Sequence, residues 1–201
     1  MFLQKTGDFI IQYNDVLTAS QHENLFVLIK NSEEKFKGSL TTDTDFLVNN
    51  HKYRKSLVLP SGNFAEFKNI FKNIMLLEYA TICLNLKIDK FDIDDIEIQL
   101  TAHNDGDYYL WHKDTGEGKL KARVITFVYY FHREPKQYSG GELGIYPDHA
   151  IPVIVTPENN SMVFFNSSIL HEVKPVICPG GIFENGRFTL NGWIKKKIAP
   201  K

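Results

Sequence analysis

The sequence predicts a mainly β protein of the α+β class, in which N-terminal helices support a jelly-roll core of two antiparallel sheets. Two observations carry this. Helical periodicity is confined to the first 95 residues, whereas residues 96–198 fall into short apolar or alternating segments separated by turns. Fifteen Phe and nine Tyr supply bulky, flat side chains of the kind a pleated interior takes up. A chain of 201 residues with 43% hydrophobic content suffices for one domain with a substantial core, and no linker, repeat or low-complexity tract divides it. Residues 1–201 therefore read as a single domain, with 1–95 as a helical support region and 96–198 as a double-stranded β-helix.

The elements follow in order. DFIIQY (8–13) reads as a first strand. LTASQHENLFVLIKN reads as a helix, with Thr18 or Ser20 as N-cap and Leu25, Leu28 and Ile29 on one face. Residues 32–50 are polar and are expected to be irregular. YRKSLVL (53–59) reads as a strand, broken by Pro60 and Ser61-Gly62. A long helix is expected over 63–85, where Phe64, Phe67, Ile70, Phe71, Ile74 and Leu77 recur at helical spacing and should pack on the outer side of a sheet. IEIQLTA (96–102) alternates as a strand does. Further strands are expected at 108–114, 123–131, 142–146, 151–155, 161–165, 172–176 and 187–195. A double-sheet core of this kind, which cupins share, brings positions 112, 114 and 171 to one open end.

Composition narrows the function classes. A net charge of −1 gives no bulk attraction to nucleic acid or to an anionic membrane, and Lys195, Lys196 and Lys197 read as a solvated tail. No apolar run has transmembrane length, and MFLQKTGDFI lacks the basic start and sustained apolar run of a signal peptide. Two cysteines make no disulfide framework, so a reducing, cytoplasmic setting is expected. Cys83 is expected to be buried in its helix, and Cys178 to be exposed in a Gly- and Pro-rich loop.

The chemistry is carried by His112 and Asp114 in YLWHKDT, His171 in NSSILHEVKP and Arg187 in GRFTLNGW. Side chains two residues apart on a strand point the same way, so His112 and Asp114 reach one metal while Lys113 points away. His171 follows the apolar run SMVFFN and supplies a third ligand from a distant strand. Two imidazoles and one carboxylate, with open positions opposite, form the facial triad of non-heme Fe(II) oxygenases. The other histidines carry blander expectations: His22 is solvated on a helix, His51 and His149 lie in loops, and His132 caps a strand. On the strand beginning at 123, Thr126, Val128 and Tyr130 share one face, and Arg123, Ile125, Phe127 and Tyr129 share the other. Trp111, Lys113, Tyr108 and Tyr109 border the metal strand.

From His103 to Trp193, roughly the C-terminal half, the chain resembles the Fe(II)/2-oxoglutarate-dependent dioxygenases, in particular their prolyl-hydroxylase-like branch. Five elements match in order: HNDGDYYLWHKD, ARVITFVYYFH, SGGELGIYP, SMVFFNSSILHEVKPV and GRFTLNGWI. The resemblance implies that His112, Asp114 and His171 hold Fe(II). It implies that 2-oxoglutarate chelates that iron and sends its far carboxylate to Arg187, with Thr189 donating to the same group. Tyr130 maps to a tyrosine that contacts the cosubstrate, and Leu143 to an apolar wall of its pocket. Many relatives carry tyrosine nine residues before the first ligand; here that position is His103, so either His103 substitutes as a donor or Tyr130 suffices. A fourth metal ligand at His103 is not expected, because oxygen or cosubstrate needs that position.

Asp114 argues for hydroxylation over halogenation, since halogenating relatives lack this carboxylate. The implied reaction consumes O2 and 2-oxoglutarate and hydroxylates an aliphatic C–H of a prolyl or other amino-acid-like substrate, free or peptidyl. Two readings stay open beside it: desaturation or cyclisation with the same cofactors, and a non-catalytic cupin-like metal-binding module or sensor. The interval from His171 to Arg187 is longer than in close relatives, and the loop at 177–186 is expected to border the active-site mouth.

Overall fold

The computed structural model describes residues 2–5, 9–43, 46–48, 52–147 and 151–198. In chain order the first strands are β1 (Phe2–Lys5), β2 (Ile10–Asn14), β3 (Lys37–Gly38), β4 (Thr41–Asp43), β5 (Phe46–Val48), β6 (Arg54–Lys55), β7 (Leu57–Leu59) and β8 (Ile93–His103). Then come β9 (Tyr108–His112), β10 (Arg123–Phe131), β11 (Ser139–Gly140), β12 (Leu143–Tyr146) and β13 (Val153–Val155). The last are β14 (Ser161–Asn166), β15 (Leu170–Val173), β16 (Val176–Ile177) and β17 (Arg187–Lys196). The helices are α1 (Ala19–Lys30) and the long α2 (Ala65–Leu86).

Two antiparallel sheets face one another. The larger has the order β1-β2-β14-β10-β17-β8-β7-β3, the smaller β13-β12-β15-β9-β6. Strand parity decides what each face does. On β17, Phe188, Leu190 and Ile194 point away from the small sheet, alongside Ile96, Ile98, Leu100 and Ala102 of β8 and Ile125, Phe127, Tyr129 and Phe131 of β10. These residues form the main core with both helices, and Phe71 of α2 meets Tyr129 edge-on at 4.9 Å. On the opposite face, Val128, Tyr130, Val163 and Phe165 pack with Leu143, Ile145 and Val155 into a second core between the sheets. Polar side chains occupy the rest of that inner face, and they make the site.

Several expectations need correction. Strands stand beside the helices of residues 1–95, some of them where 8–13 and 53–59 were expected: β1, β2, β3 and β7 extend the large sheet and β6 edges the small one. The segment at 32–50, expected to be irregular, contains β3 and the β4–β5 hairpin. Leu77 is 82% exposed, although it continues the spacing of the aromatic stripe. It lies two residues beyond the buried Met75, about half a turn around the helix. Cys178 is fully buried, with Tyr138 and Val176 around it, because its backbone N–H donates to Asp105 Oδ1 (2.8 Å) and ties the loop down. α1 starts at Thr18, whose capping box with Gln21 satisfies the first orphan N–H groups.

The loop at 177–186 does not border the cavity described below. Phe183 inserts between Phe36 (5.0 Å) and Phe188 (5.2 Å), and Glu184 pairs with Lys30 at 3.0 Å. These contacts anchor the loop on the helix side of the large sheet. His51 and His149 lie outside the described residues.

Candidate functional site

Register brings the first three residues together. His112 ends β9 and His171 stands directly opposite it on β15, with ring centroids 4.1 Å apart. Asp114, just past β9, is fixed by its backbone N–H donating to Ser167 O (3.0 Å). Candidate ligand atoms of all three lie within 4.8 Å of one another: His171 Nε2 is 3.3 Å from Asp114 Oδ2, and His112 Nε2 is 3.7 Å from Asp114 Oδ1. All three side chains are buried.

The surrounding bonds aim these groups. His112 Nδ1 donates to Leu110 O (2.7 Å) and His171 Nδ1 donates to Ile169 O (2.9 Å), which leaves both Nε2 lone pairs facing the centre. Thr126 Oγ1 donates to Asp114 Oδ2 at 2.7 Å and meets Ser167 Oγ at 2.9 Å. Burial alone would raise the Asp114 carboxyl, but the adjacent His171 and His112 imidazoles hold it well below the usual carboxylate range. His112 is pushed down to about 3, by burial first and by His171 second. One carboxylate and two imidazole Nε2 atoms converging on a point are the donor set a divalent cation takes.

A cavity of about 300 Å³ extends from this cluster between the sheets. At its far side lies Arg187, the first residue of β17, paired in register with His103 at the end of β8. Arg187 is 1% exposed, and no carboxylate among the described residues lies within ion-pair distance of it. Its Nη1 donates to His103 Nδ1 (3.3 Å), and its Cζ stands 5.1 Å from the Tyr130 ring centroid. Burial, reinforced by Arg187 and Arg54, pushes the His103 imidazole well below its ordinary range, so His103 is neutral and its Nε2 carries the proton. His103 Nε2, Arg187 Nε and Tyr130 Oη are all buried without a hydrogen-bond partner. A buried cation beside orphaned donors is costly unless an anion completes it.

Most of the sequence-predicted residues line this cavity: His112, Asp114, His171, His103, Leu143, Arg187 and Thr189. Tyr130 does not; it lies behind Arg187 as a ring. Thr189 Oγ1 donates to Asn191 Oδ1 (3.2 Å), which also accepts from Thr101 Oγ1 (2.8 Å). Arg123, placed by simple alternation with Ile125, Phe127 and Tyr129, lines the cavity instead, because a register shift between Arg123 and Ile125 turns it over. There it binds Glu97 through Nη2 (3.0 and 3.2 Å) and covers the Trp193 ring at 3.4 Å. Sequence reasoning passed over Thr126 as a support for Asp114 and Arg54 as a wall residue. Period-two parity with Val128 was the available signal for Thr126.

Gly-Gly at 140–141 has a steric reason. Gly141 has φ +70°, and an added Cβ would stand 2.6 Å from Arg187 Cδ and 2.9 Å from Val176 Cγ2. Only glycine lets the arginine stem pass.

Fold and site define a double-sheet protein with a His-Asp-His cluster and a buried arginine across one cavity. Residues 98–195 match the 2OG-Fe(II) oxygenase superfamily, a span containing every residue of that cluster and Arg187. Those residues are a domain of that superfamily, whose cofactors are Fe(II), 2-oxoglutarate and O2. An uncharacterized PKHD-type hydroxylase of Synechocystis is 40% identical over 179 residues, 85% of this chain. The chain spans 57% of that relative's length. A Pseudomonas putida prolyl-4-hydroxylase shares the fold with a TM-score of 0.68 at 18% identity, covering 95% of this chain and 94% of the other. So does a Trichoplax adhaerens prolyl hydroxylase in complex with a hypoxia inducible factor peptide, with a TM-score of 0.71 at 20% identity, covering 94% and 84%. No helix among the described residues is long and apolar enough to cross a membrane.

Proposed function

We propose that this protein is an Fe(II)- and 2-oxoglutarate-dependent hydroxylase acting on an aliphatic C–H of a prolyl or other amino-acid-like substrate, free or peptidyl. The observation that carries this is Arg187: a buried guanidinium without a carboxylate partner among the described residues, across one cavity from three convergent metal donors. A simple metal-binding module has no use for that cation. In this reading His112, Asp114 and His171 hold the metal through Nε2, a carboxylate oxygen and Nε2. Arg187 takes the far carboxylate of 2-oxoglutarate in a charge-assisted pair, the His103 Nε2–H donates beside it, Thr189 turns its hydroxyl to it from Asn191, and Leu143 forms an apolar wall. The bound metal and cosubstrate supply the oxidising chemistry, with release of succinate and CO2.

The chain's own contribution is placement. Leu110 O and Ile169 O hold the imidazole tautomers, Thr126 holds the carboxylate, and the two sheets shield the site from bulk water. Residues 96–198 are taken as the catalytic core, in a cytoplasmic setting, as the two cysteines of the sequence suggest.

Anaerobic titration of the Fe(II) protein with 2-oxoglutarate is expected to produce the weak visible charge-transfer band of the chelate. His171→Ala is expected to abolish it. Absence of the band in wild type with iron demonstrably bound would overturn the reading in favour of the metal-binding module.

A further inference from the structure

A second buried guanidinium lines the same cavity. Arg54 stands on the edge strand β6, paired in register with Tyr109 of β9, and is 9% exposed. Its Nε donates to Ser56 Oγ (2.9 Å), which is itself held by Ser39 Oγ (2.6 Å). Among the described residues its two Nη groups have no hydrogen-bond partner, and no carboxylate lies within ion-pair distance. The Arg54 Cζ lies 4.8 Å from the Tyr109 ring centroid, and that ring stacks on the His112 imidazole at 3.5 Å and 16°. The two distances bound Arg54 to within about 8 Å of the imidazole.

The charges decide what Arg54 is for. Arg123 is matched by Glu97, and Lys113 is exposed to water. Arg187 is assigned to the far carboxylate of the cosubstrate. With Fe(II) bound by Asp114 and a 2-oxoglutarate dianion in place, one buried positive charge remains unmatched, and it is Arg54. A cavity-lining guanidinium fixed through Nε and an aromatic face, its Nη groups without a hydrogen-bond partner among the described residues, is preorganised for a bidentate oxyanion.

We propose that Arg54 is a specificity residue that takes a carboxylate of the substrate, so that the substrate is an acid whose reacting C–H lies a few bonds from that group. The proposal rests on the hydroxylase reading above. The carboxylate has two sources of one chemistry: the α-carboxylate of a free amino acid, or an acidic side chain beside the target residue in a peptide.

The test is calorimetric binding to the anaerobic Fe(II) protein with 2-oxoglutarate present. The probes are L-proline against L-prolinamide, and N-acetyl-Glu-Pro-amide against N-acetyl-Gln-Pro-amide. Wild type is expected to bind one acid at least about tenfold more tightly than its neutral partner, and the pair that shows the gap names the source. In Arg54→Gln the gap should close while 2-oxoglutarate affinity holds. In Arg54→Lys part of the gap should remain.

No gap in wild type for either pair, or a gap that survives Arg54→Gln, overturns the assignment. Equal loss of 2-oxoglutarate affinity also overturns it, because Arg54 would then hold the cosubstrate. Should Arg54→Gln fail to fold, Ser56→Ala decides: it frees the guanidinium and should narrow the gap, and an unchanged gap sinks the proposal. Failure of wild type to bind 2-oxoglutarate at all would instead remove the hydroxylase reading.

Discussion

Arg187→Ala is expected to weaken 2-oxoglutarate binding by about 2–5 kcal/mol, roughly thirtyfold to several thousandfold, while leaving metal affinity within a few-fold. The reason is the separation of tasks. The proposed metal donors come from β9, β15 and the turn after β9, whereas Arg187 belongs to β17 and touches His103 and the Tyr130 face. Removing the guanidinium deletes the one cation assigned to the far carboxylate, and the neutral His103 does not replace its charge. Arg187→Lys should fall between the two, since an ammonium restores charge without the fork. Calorimetry with 2-oxoglutarate on the metal-loaded variant, beside a metal titration, reads both quantities. Unchanged cosubstrate affinity would refute the role of Arg187.

Gly192→Ala should be the most damaging single-methyl change in the large sheet. Gly192 lies on the helix-facing side of β17, opposite Ile98 of β8 and Gly192-paired Phe127 of β10. An added Cβ would collide with the Glu97 carbonyl oxygen and come 2.8 Å from Phe127 Cζ. Backbone cannot move aside as a flexible side chain can, so a cost of about 3 kcal/mol is expected. For a chain of this size that is a fall in melting temperature of roughly 6–12 °C. Gly62→Ala, where an added Cβ meets nothing within 4 Å, is the control and should leave melting nearly unchanged. Scanning calorimetry of both variants decides; equal melting temperatures would show that the strands yield at Gly192.

Much of the candidate site's clustering was legible because its signals are local. H-x-D on a strand puts two candidate ligands on one side, and β17 repeats the same parity through Arg187, Thr189, Asn191 and Trp193, all of which line the cavity. The failures share a physical cause: they depend on contacts distant in sequence. A bulge turned Arg123 over, and nothing in RVITFVYYF announces a bulge. Cys178 is buried because Asp105, 73 residues away, captures its backbone. Arg54 sits in a two-residue strand whose meaning comes only from lying beside Tyr109. Leu77 fits a helical stripe on paper, but the buried line through Phe67, Phe71 and Met75 leaves it on the water side.

The clamping of Arg187 has one more consequence. Its stem is wedged against Gly141, its Nη1 is bonded to His103, and Tyr130 lies behind it, so its position is set before any guest arrives. At the other end His112 and His171 are held opposite each other by strand register, and Asp114 by its bond to Ser167 O. Two immobile anchors make the cavity a gauge of length. A 2-oxo diacid one methylene shorter must leave an anchor unmet, and one methylene longer must buckle to fit. Competition binding should therefore rank 2-oxoglutarate above both oxaloacetate and 2-oxoadipate, a selectivity enforced by span with no contact to the intervening carbons.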